Sequence, residues 1–214
     1  IAVSKIVRAF SWKSSESSSP WSKASTSSST LFYLLYSYKK LPPWVPLIYI
    51  TAFIACALGW EVWFTYGLVD GDAVDLRRSA VLSSWIPLHL NWFLNSLADA
   101  GTVTLGGFWL MWRMCSKDNQ IFSSWSWKAF GVFYIWCICQ NIFVELFLYH
   151  DQLADGKLLS WAPLAPLGSY LNPELFSFNG RSVMLQTQIP WIILPAVIYA
   201  AVIKYSNSQL IKST

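Results

Sequence analysis

The sequence predicts an all-α integral membrane protein: four transmembrane helices in a bundle, an N-terminal extended arm, and a long loop between helices 3 and 4. Only 12% of the 214 residues are charged and 55% are hydrophobic, whereas soluble domains carry about 25% charged residues. Aromatic residues make up 17%, with 14 Trp, which is typical of proteins with aromatic interface belts. The sequence has no basic patch interleaved with base-stacking aromatics, so we expect no nucleic-acid partner.

Four apolar runs are each near or above the roughly 20 residues that a helix needs to cross hydrocarbon. They predict a transmembrane domain over residues 44–206, followed by a polar tail at 207–214. The predicted spans cover residues 44–68, 86–112, 128–149 and 189–205. The last of these contains Pro190 and Pro195, so we expect a kink near Pro195.

Residues 1–43 form the predicted arm. Its positions 11–30 hold eleven Ser, a composition that cannot bury enough apolar surface to fold alone. The aromatic segment at 31–38 is too short to span a bilayer and is predicted to lie at the interface. The first thirty residues are basic, Ser-rich and nearly free of acid, as in organellar transit segments. This composition indicates a thylakoid or mitochondrial inner membrane.

Charge asymmetry between the loops predicts the orientation. The arm, the 113–128 loop and the chain after residue 203 hold eleven Lys/Arg and two acids, whereas the 69–85 and 150–188 loops hold four Lys/Arg and six acids. Four spans place these two groups on opposite sides, so both termini are expected on the positive side, facing stroma, matrix or cytoplasm. The 150–188 loop is long for a compact protein, and we expect a structured cap on the membrane surface.

Three carboxylates fall inside the apolar runs: Glu61, Asp99 and Glu145. A charge at the centre of a spanning helix costs about 2.5–3.5 kcal/mol, so such residues usually face a bundle interior and serve a pathway, ligand or partner. There are two alternatives: a side chain near the interface that snorkels to the membrane surface, or a neutral acid hydrogen-bonded to a neighbouring helix. The first alternative applies most to Glu61, which lies late in the first predicted span.

The second run carries a polar stripe. Asn91, Asn95 and Asp99 recur every four residues and share one helix face. The stripe either holds helices together by close packing and hydrogen bonds or lines a site, and the pattern does not distinguish these two interpretations. We expect it to face the bundle and to meet Asn141 or Glu145. Further polar groups predict a shared interior site: Gln140 and Asn141 on the third run and Gln188 at the start of the fourth.

The two histidines, His89 and His150, lie at the membrane boundary beside the acid-rich loops. They are the candidates for axial ligation of haem or chlorophyll, and the alternative is an ordinary interfacial histidine. Their spacing gives no di-metal or bis-haem signature, so no other metal site is expected.

Three segments resemble the emopamil-binding (sterol isomerase) family. Residues 140–149 resemble its helix with a Gln and an acid, residues 188–195 its Trp-x-x-x-Pro helix, and residues 99–109 are similar in holding an acid, a Thr and a Gly-Gly near a Trp. The resemblance implies a compact bundle with carboxylates on its helices. The Gly59-Trp60-Glu61 segment is also similar to the Trp-Glu of membrane meroterpenoid cyclases, which protonate an isoprenoid.

Two functions are compatible with these features. The first is an accessory subunit of a photosynthetic or respiratory membrane complex. Such a subunit contacts lipids and other subunits through the arm and aromatic surfaces, with chlorophyll, carotenoid, quinone or lipid in the interior site. The alternative is a small membrane isomerase or cyclase that protonates an isoprenoid or sterol alkene. In that enzyme Asp99 and Glu145 are the acid and base, with Glu61 in reserve, and Trp rings stabilise the cation.

Overall fold

The computed structural model describes residues 42–69, 72–149, 154 and 170–213. The described chain is mostly helical. Nearly all of the predicted arm, His150 and most of the 150–188 loop lie outside the described residues. The helices in chain order are α1 Trp44–Leu58, α2 Trp60–Tyr66, α3 Val74–Arg77, α4 Ala80–Trp85, α5 Leu88–Ala98, α6 Gly106–Met114, α7 Trp127–Phe143 and α8 Leu185–Ser213.

Two helices continue beyond their α-helical part with π-helical geometry. The π segment Asp99–Leu105 joins α5 to α6, so that one helical rod runs from residue 88 to residue 114. The π segment Val144–Tyr149 extends α7. A short 3-10 helix, Asn119–Phe122, lies in the connection between α6 and α7.

Among the residues that the structure describes, three helical stretches are long and apolar enough to cross a membrane: Trp44–Trp63, Trp127–Leu148 and Leu185–Ser208. They correspond to the first, third and fourth predicted spans. The 88–114 rod is not among the three, because the amide and carboxyl side chains of its polar stripe reduce its mean hydropathy. The structure therefore supports a helical protein with three such helices, and the fourth span stays a prediction. Pro190 and Pro195 both lie within α8, which continues through them.

The expectation of an all-α protein is wrong in one respect, because the chain also forms two short antiparallel hairpins. β1 (Leu68–Val69) pairs with β2 (Asp72–Ala73), and β3 (Glu174–Phe178) pairs with β4 (Arg181–Met184). The second hairpin turns at Asn179 and Gly180, whose φ angles of 50° and 72° are those of a type I′ turn. This hairpin occupies part of the loop where a cap was expected.

The best-buried part of the structure lies where α7 packs against α6 and α8. Phe133 and Cys137 of α7 are completely buried there, with Met111 of α6 and Tyr199 of α8. Gly107 permits the close approach of α6, because a Cβ at this position would lie 2.5 Å from ring atoms of Phe133. α6, α7 and α8 therefore form a well-packed core, and α1, α2 and α5 lie beside it.

Candidate functional site

A break between α1 and α2 sets the position of Trp60 and Glu61. Gly59 interrupts the helix with φ −87° and ψ −114°, and a Cβ there would lie 2.5 Å from the Ala55 carbonyl oxygen. The indole of Trp92 on α5 donates to the Ala57 carbonyl at 2.7 Å, which satisfies one of the carbonyls that a helix end leaves free. The break thus places Trp60 and Glu61 in the first turn of α2, next to α5.

Asp99 begins the π segment of the 88–114 rod. Thr104, five residues later, donates its hydroxyl to the Asp99 carbonyl at 3.1 Å. The indole of Trp136 on α7 donates to the Val103 carbonyl at 2.9 Å. Bonds from side chains therefore support the widened turns, and such π segments are frequent at functional sites.

Glu61 and Asp99, which we call the carboxyl pair, lie on two helical segments that the Trp60 side chain connects. The Trp60 indole N–H donates to Asp99 Oδ2 at 2.7 Å, which brings the first turn of α2 against the π segment. Glu61 is only 1% exposed, lies within electrostatic range of Asp99, and has the Asn95 side chain beside it. Asp99 itself is part-buried.

Polar atoms around this pair are left without partners. Glu61 Oε2, Thr65 Oγ1 and Asn95 Nδ2 are buried and have no hydrogen-bond partner among the residues that the structure describes. Glu61 and Thr65 are four residues apart on α2 and so share the face that meets α5. Each buried unsatisfied group costs about 1–3 kcal/mol, so this interface is not arranged for packing alone.

Aromatic rings flank the carboxyl pair. The rings of Trp60 and Trp191 meet edge to face, with centroids 5.2 Å apart and an interplanar angle of 64°. Trp191 is buried at 4% exposure, whereas Trp60 is part-buried. Indole faces attract cations through the ring quadrupole. The site therefore combines two acids with two rings of the type that stabilises positive charge.

Glu145 lies in a different environment. Its Oε1 accepts from the Met184 backbone N–H at 3.0 Å, and its Oε2 accepts from Thr187 Oγ1 at 2.7 Å and from Gln188 Nε2 at 2.5 Å. Asn141 completes the group by donating to Gln188 Oε1 at 2.8 Å and to the Thr187 carbonyl at 2.9 Å. This closed network ties the end of α7 to the start of α8.

The structure therefore separates residues that the sequence grouped together. Asn91 and Asn95 are buried, in agreement with an inward-facing stripe, but Asp99 bonds to Trp60 and not to Asn141 or Glu145. The amide of Gln140 donates within its own helix to the Cys137 carbonyl at 3.0 Å. Asn141, Glu145 and Gln188 do meet, in the closed network.

His89 lies at the exposed start of α5, where its Nδ1 is 2.7 Å from the hydroxyl of Tyr66. The ring thus has a neighbour of its own, and axial ligation by His89 stays a prediction. Within residues 42–69, 72–149, 154 and 170–213, no cluster of three His, Cys, Asp or Glu side chains could hold a metal ion.

The sequence pattern does not single out Thr65 or Trp191 as site residues. Thr65 follows Glu61 by four residues, so its place on the same helix face was visible in the sequence. Trp191 reaches the site from α8 only through tertiary packing, which no local signal reveals.

The chain matches no protein-family model, no curated protein and no solved structure. The function must therefore be inferred from the geometry of the two carboxyl environments.

Proposed function

We propose that the chain is an integral-membrane enzyme that isomerises or cyclises an isoprenoid or sterol-like alkene by proton transfer at the Glu61–Asp99 pair. The observation that carries the proposal is the pair itself: two acids on facing helices, beside unpaired polar atoms and two indole rings. The proposal includes four spans, in which the 88–114 rod crosses the membrane and brings Asp99 to the middle of the protein.

The surroundings of the two acids favour different roles. Asp99 Oδ2 accepts a hydrogen bond from Trp60, and such a donor stabilises the ionised carboxylate. Glu61 is buried with Oε2 unpaired, and a buried acid close to a second carboxylate favours its neutral form. Glu61 is therefore proposed as the proton donor and Asp99 as the acceptor.

The proposed reaction needs no other reactant. The Glu61 O–H bond breaks as its proton adds to one alkene carbon, and the π electrons leave a carbocation on the other carbon. The faces of Trp60 and Trp191 stabilise this cation. Asp99 then removes a proton from a neighbouring carbon, whose C–H electrons form the new double bond. A final transfer from Asp99 to Glu61 restores the starting state, so the overall change is an isomerisation.

Glu145 has no catalytic role in this proposal. Its oxygens accept three hydrogen bonds, so it is proposed to hold α7 to α8. The earlier assignment of Asp99 and Glu145 as acid and base is replaced, because Glu61 is the acid that lies beside Asp99.

Deuterium incorporation tests the proposal. Membranes that contain the full chain are incubated in D₂O with a panel of squalene, geranylgeraniol and Δ8-sterols, and products are analysed by mass spectrometry. We expect products carrying deuterium with the wild type, and a loss of about 10²–10⁴-fold with Glu61→Gln or Asp99→Asn, the usual contribution of a general acid or base. Glu145→Gln is the control and should retain activity in proportion to the folded protein. Equal incorporation by Glu61→Gln and the wild type would refute the proposal.

The accessory-subunit hypothesis stays a prediction. It depends on the arm, which lies outside the described residues, and on an interior ligand such as chlorophyll, carotenoid or quinone. Its test is the native mass of the gently extracted protein, with its bound small molecules identified. A single chain without a pigment or quinone would contradict it.

A further inference from the structure

Arg78, between α3 and α4, is a buried cation with most of its hydrogen-bonding capacity unused. It is 7% exposed, and its Nη1 donates to the Ile86 carbonyl at 3.1 Å. Its Nε and Nη2 atoms are buried and have no hydrogen-bond partner in the part of the chain that the structure describes. Burial also lowers the pKa of Arg78, which reflects the cost of holding an uncompensated charge there.

The two unpaired atoms belong to one edge of the guanidinium plane. The N–H bonds from Nε and Nη2 run side by side, and this fork matches the two oxygens of a carboxylate or phosphate. A buried charge is expensive unless it is paired and hydrogen-bonded. An oxyanion would therefore fit the Nε–Nη2 fork of Arg78 and would compensate its buried charge.

The position of Arg78 indicates what kind of molecule brings that oxyanion. Arg78 lies in the connection between α2 and α5 and bonds to Ile86, just before α5, and the neighbouring Arg77 donates to the Gly67 carbonyl, just after α2, at 3.5 Å. Large apolar side chains on the same connection are exposed: Leu76, Val81 and Trp85, at 63%, 69% and 63%. A buried cation beside exposed apolar groups suits an amphiphile, with the oxyanion at the cation and the tail along the apolar surface.

We propose that Arg78 anchors the phosphate or carboxylate headgroup of a membrane amphiphile through its Nε–Nη2 fork. The site is independent of the Glu61–Asp99 chemistry and stands whether or not that pair is catalytic. A lysine at this position keeps the charge but has no planar fork, so it separates recognition of an oxyanion from simple charge attraction.

The test uses the full chain in an uncharged detergent. Dioleoyl phosphatidic acid and oleate are the probes, dioleoylglycerol is the neutral control lipid, and binding is measured by native mass spectrometry. We expect the wild type to bind at least one acidic probe, and Arg78→Lys to bind it at least tenfold more weakly. Arg113→Lys changes an exposed arginine in the last turn of α6 and should bind like the wild type. Equal binding by the wild type and Arg78→Lys would overturn the proposal.

Two further measurements complete the design. Displacement of the bound probe by millimolar inorganic phosphate would support the fork and assign the oxyanion to a water-soluble source, whereas resistance to displacement would assign it to the amphiphile. If Arg78→Lys does not fold, the wild type alone decides. Phosphatidic acid or oleate should then raise its unfolding temperature while dioleoylglycerol should not, and the absence of any such difference overturns the proposal.

Discussion

Replacing Glu145 distinguishes a structural carboxyl group from a catalytic one. Glu145→Leu leaves two donors without their acceptor, the Met184 N–H and the Gln188 amide, while the Thr187 hydroxyl keeps the Met184 carbonyl at 2.7 Å. Each buried donor left unpaired costs about 1–3 kcal/mol. We therefore expect a total loss of about 2–6 kcal/mol for the two donors.

Glu145→Gln is a milder change, but it is not silent. The amide keeps one oxygen acceptor and replaces the other oxygen with an NH₂ group. That group must face either Met184 N–H or the donors of Thr187 and Gln188, so at least one donor meets another donor. We expect a loss of about 1–3 kcal/mol, the cost of one unsatisfied group. Glu174→Gln is the matched control, because Glu174 is exposed and its carboxylate accepts a hydrogen bond from Ser182, and an exposed bond contributes at most about 1 kcal/mol.

The assay is thermal unfolding of the detergent-solubilised chain, followed by tryptophan fluorescence. For a protein of this size each kcal/mol corresponds to about 2–4 °C. We therefore expect Glu145→Leu to lower the midpoint by about 4–24 °C and Glu145→Gln by about 2–12 °C, with Glu174→Gln close to the wild type. A Glu145→Leu midpoint equal to that of the wild type would show that the network does not hold α7 to α8.

Two further predictions concern packing and topology. Gly107→Ala should destabilise the chain by about 1–3 kcal/mol, because its Cβ would lie 2.5 Å from the Phe133 ring. Gly106→Ala is the control and should be neutral or stabilising, because the nearest atom to its Cβ is 3.8 Å away. Equal unfolding midpoints for the two variants would contradict the close approach of α6 to α7. In a cysteine-free background, Asp72→Cys and Ser208→Cys should be labelled from opposite sides of the membrane if the 88–114 rod is a fourth span, and from the same side if only three helices cross.

Local composition was sufficient to predict the long helices and the buried stripe. Three of the four apolar runs became helices of spanning length, since length and hydropathy are properties of consecutive residues. The spacing of Asn91 and Asn95 likewise predicted that both are buried. The second hairpin had an equally local signal, the Asn179-Gly180 pair, which the membrane-like composition of the surrounding chain obscured.

The pairing of the carboxyl groups was beyond the reach of such patterns. The Trp60 side chain bonds to Asp99 next to a helix break at Gly59 and at the start of a π segment, two features that the sequence pattern did not predict. Periodicity assumes about 3.6 residues per turn, and both features depart from it. The hydrogen-bond partners of Glu145 could not be predicted from the sequence either, because two of them, Thr187 and Gln188, come from α8, more than forty residues later.

The two carboxyl environments differ in whether their polar groups are satisfied. Glu145 is the second residue of a π segment and Asp99 is the first residue of another, so unusual helix geometry alone does not separate them. Both oxygens of Glu145 accept a hydrogen bond, whereas one oxygen of Glu61 and the Thr65 hydroxyl have no hydrogen-bond partner among the described residues. Proteins that leave buried polar groups unsatisfied usually do so at sites of function, where a substrate completes the bonding. The catalytic proposal therefore belongs to Glu61 and Asp99, and the stability prediction to Glu145.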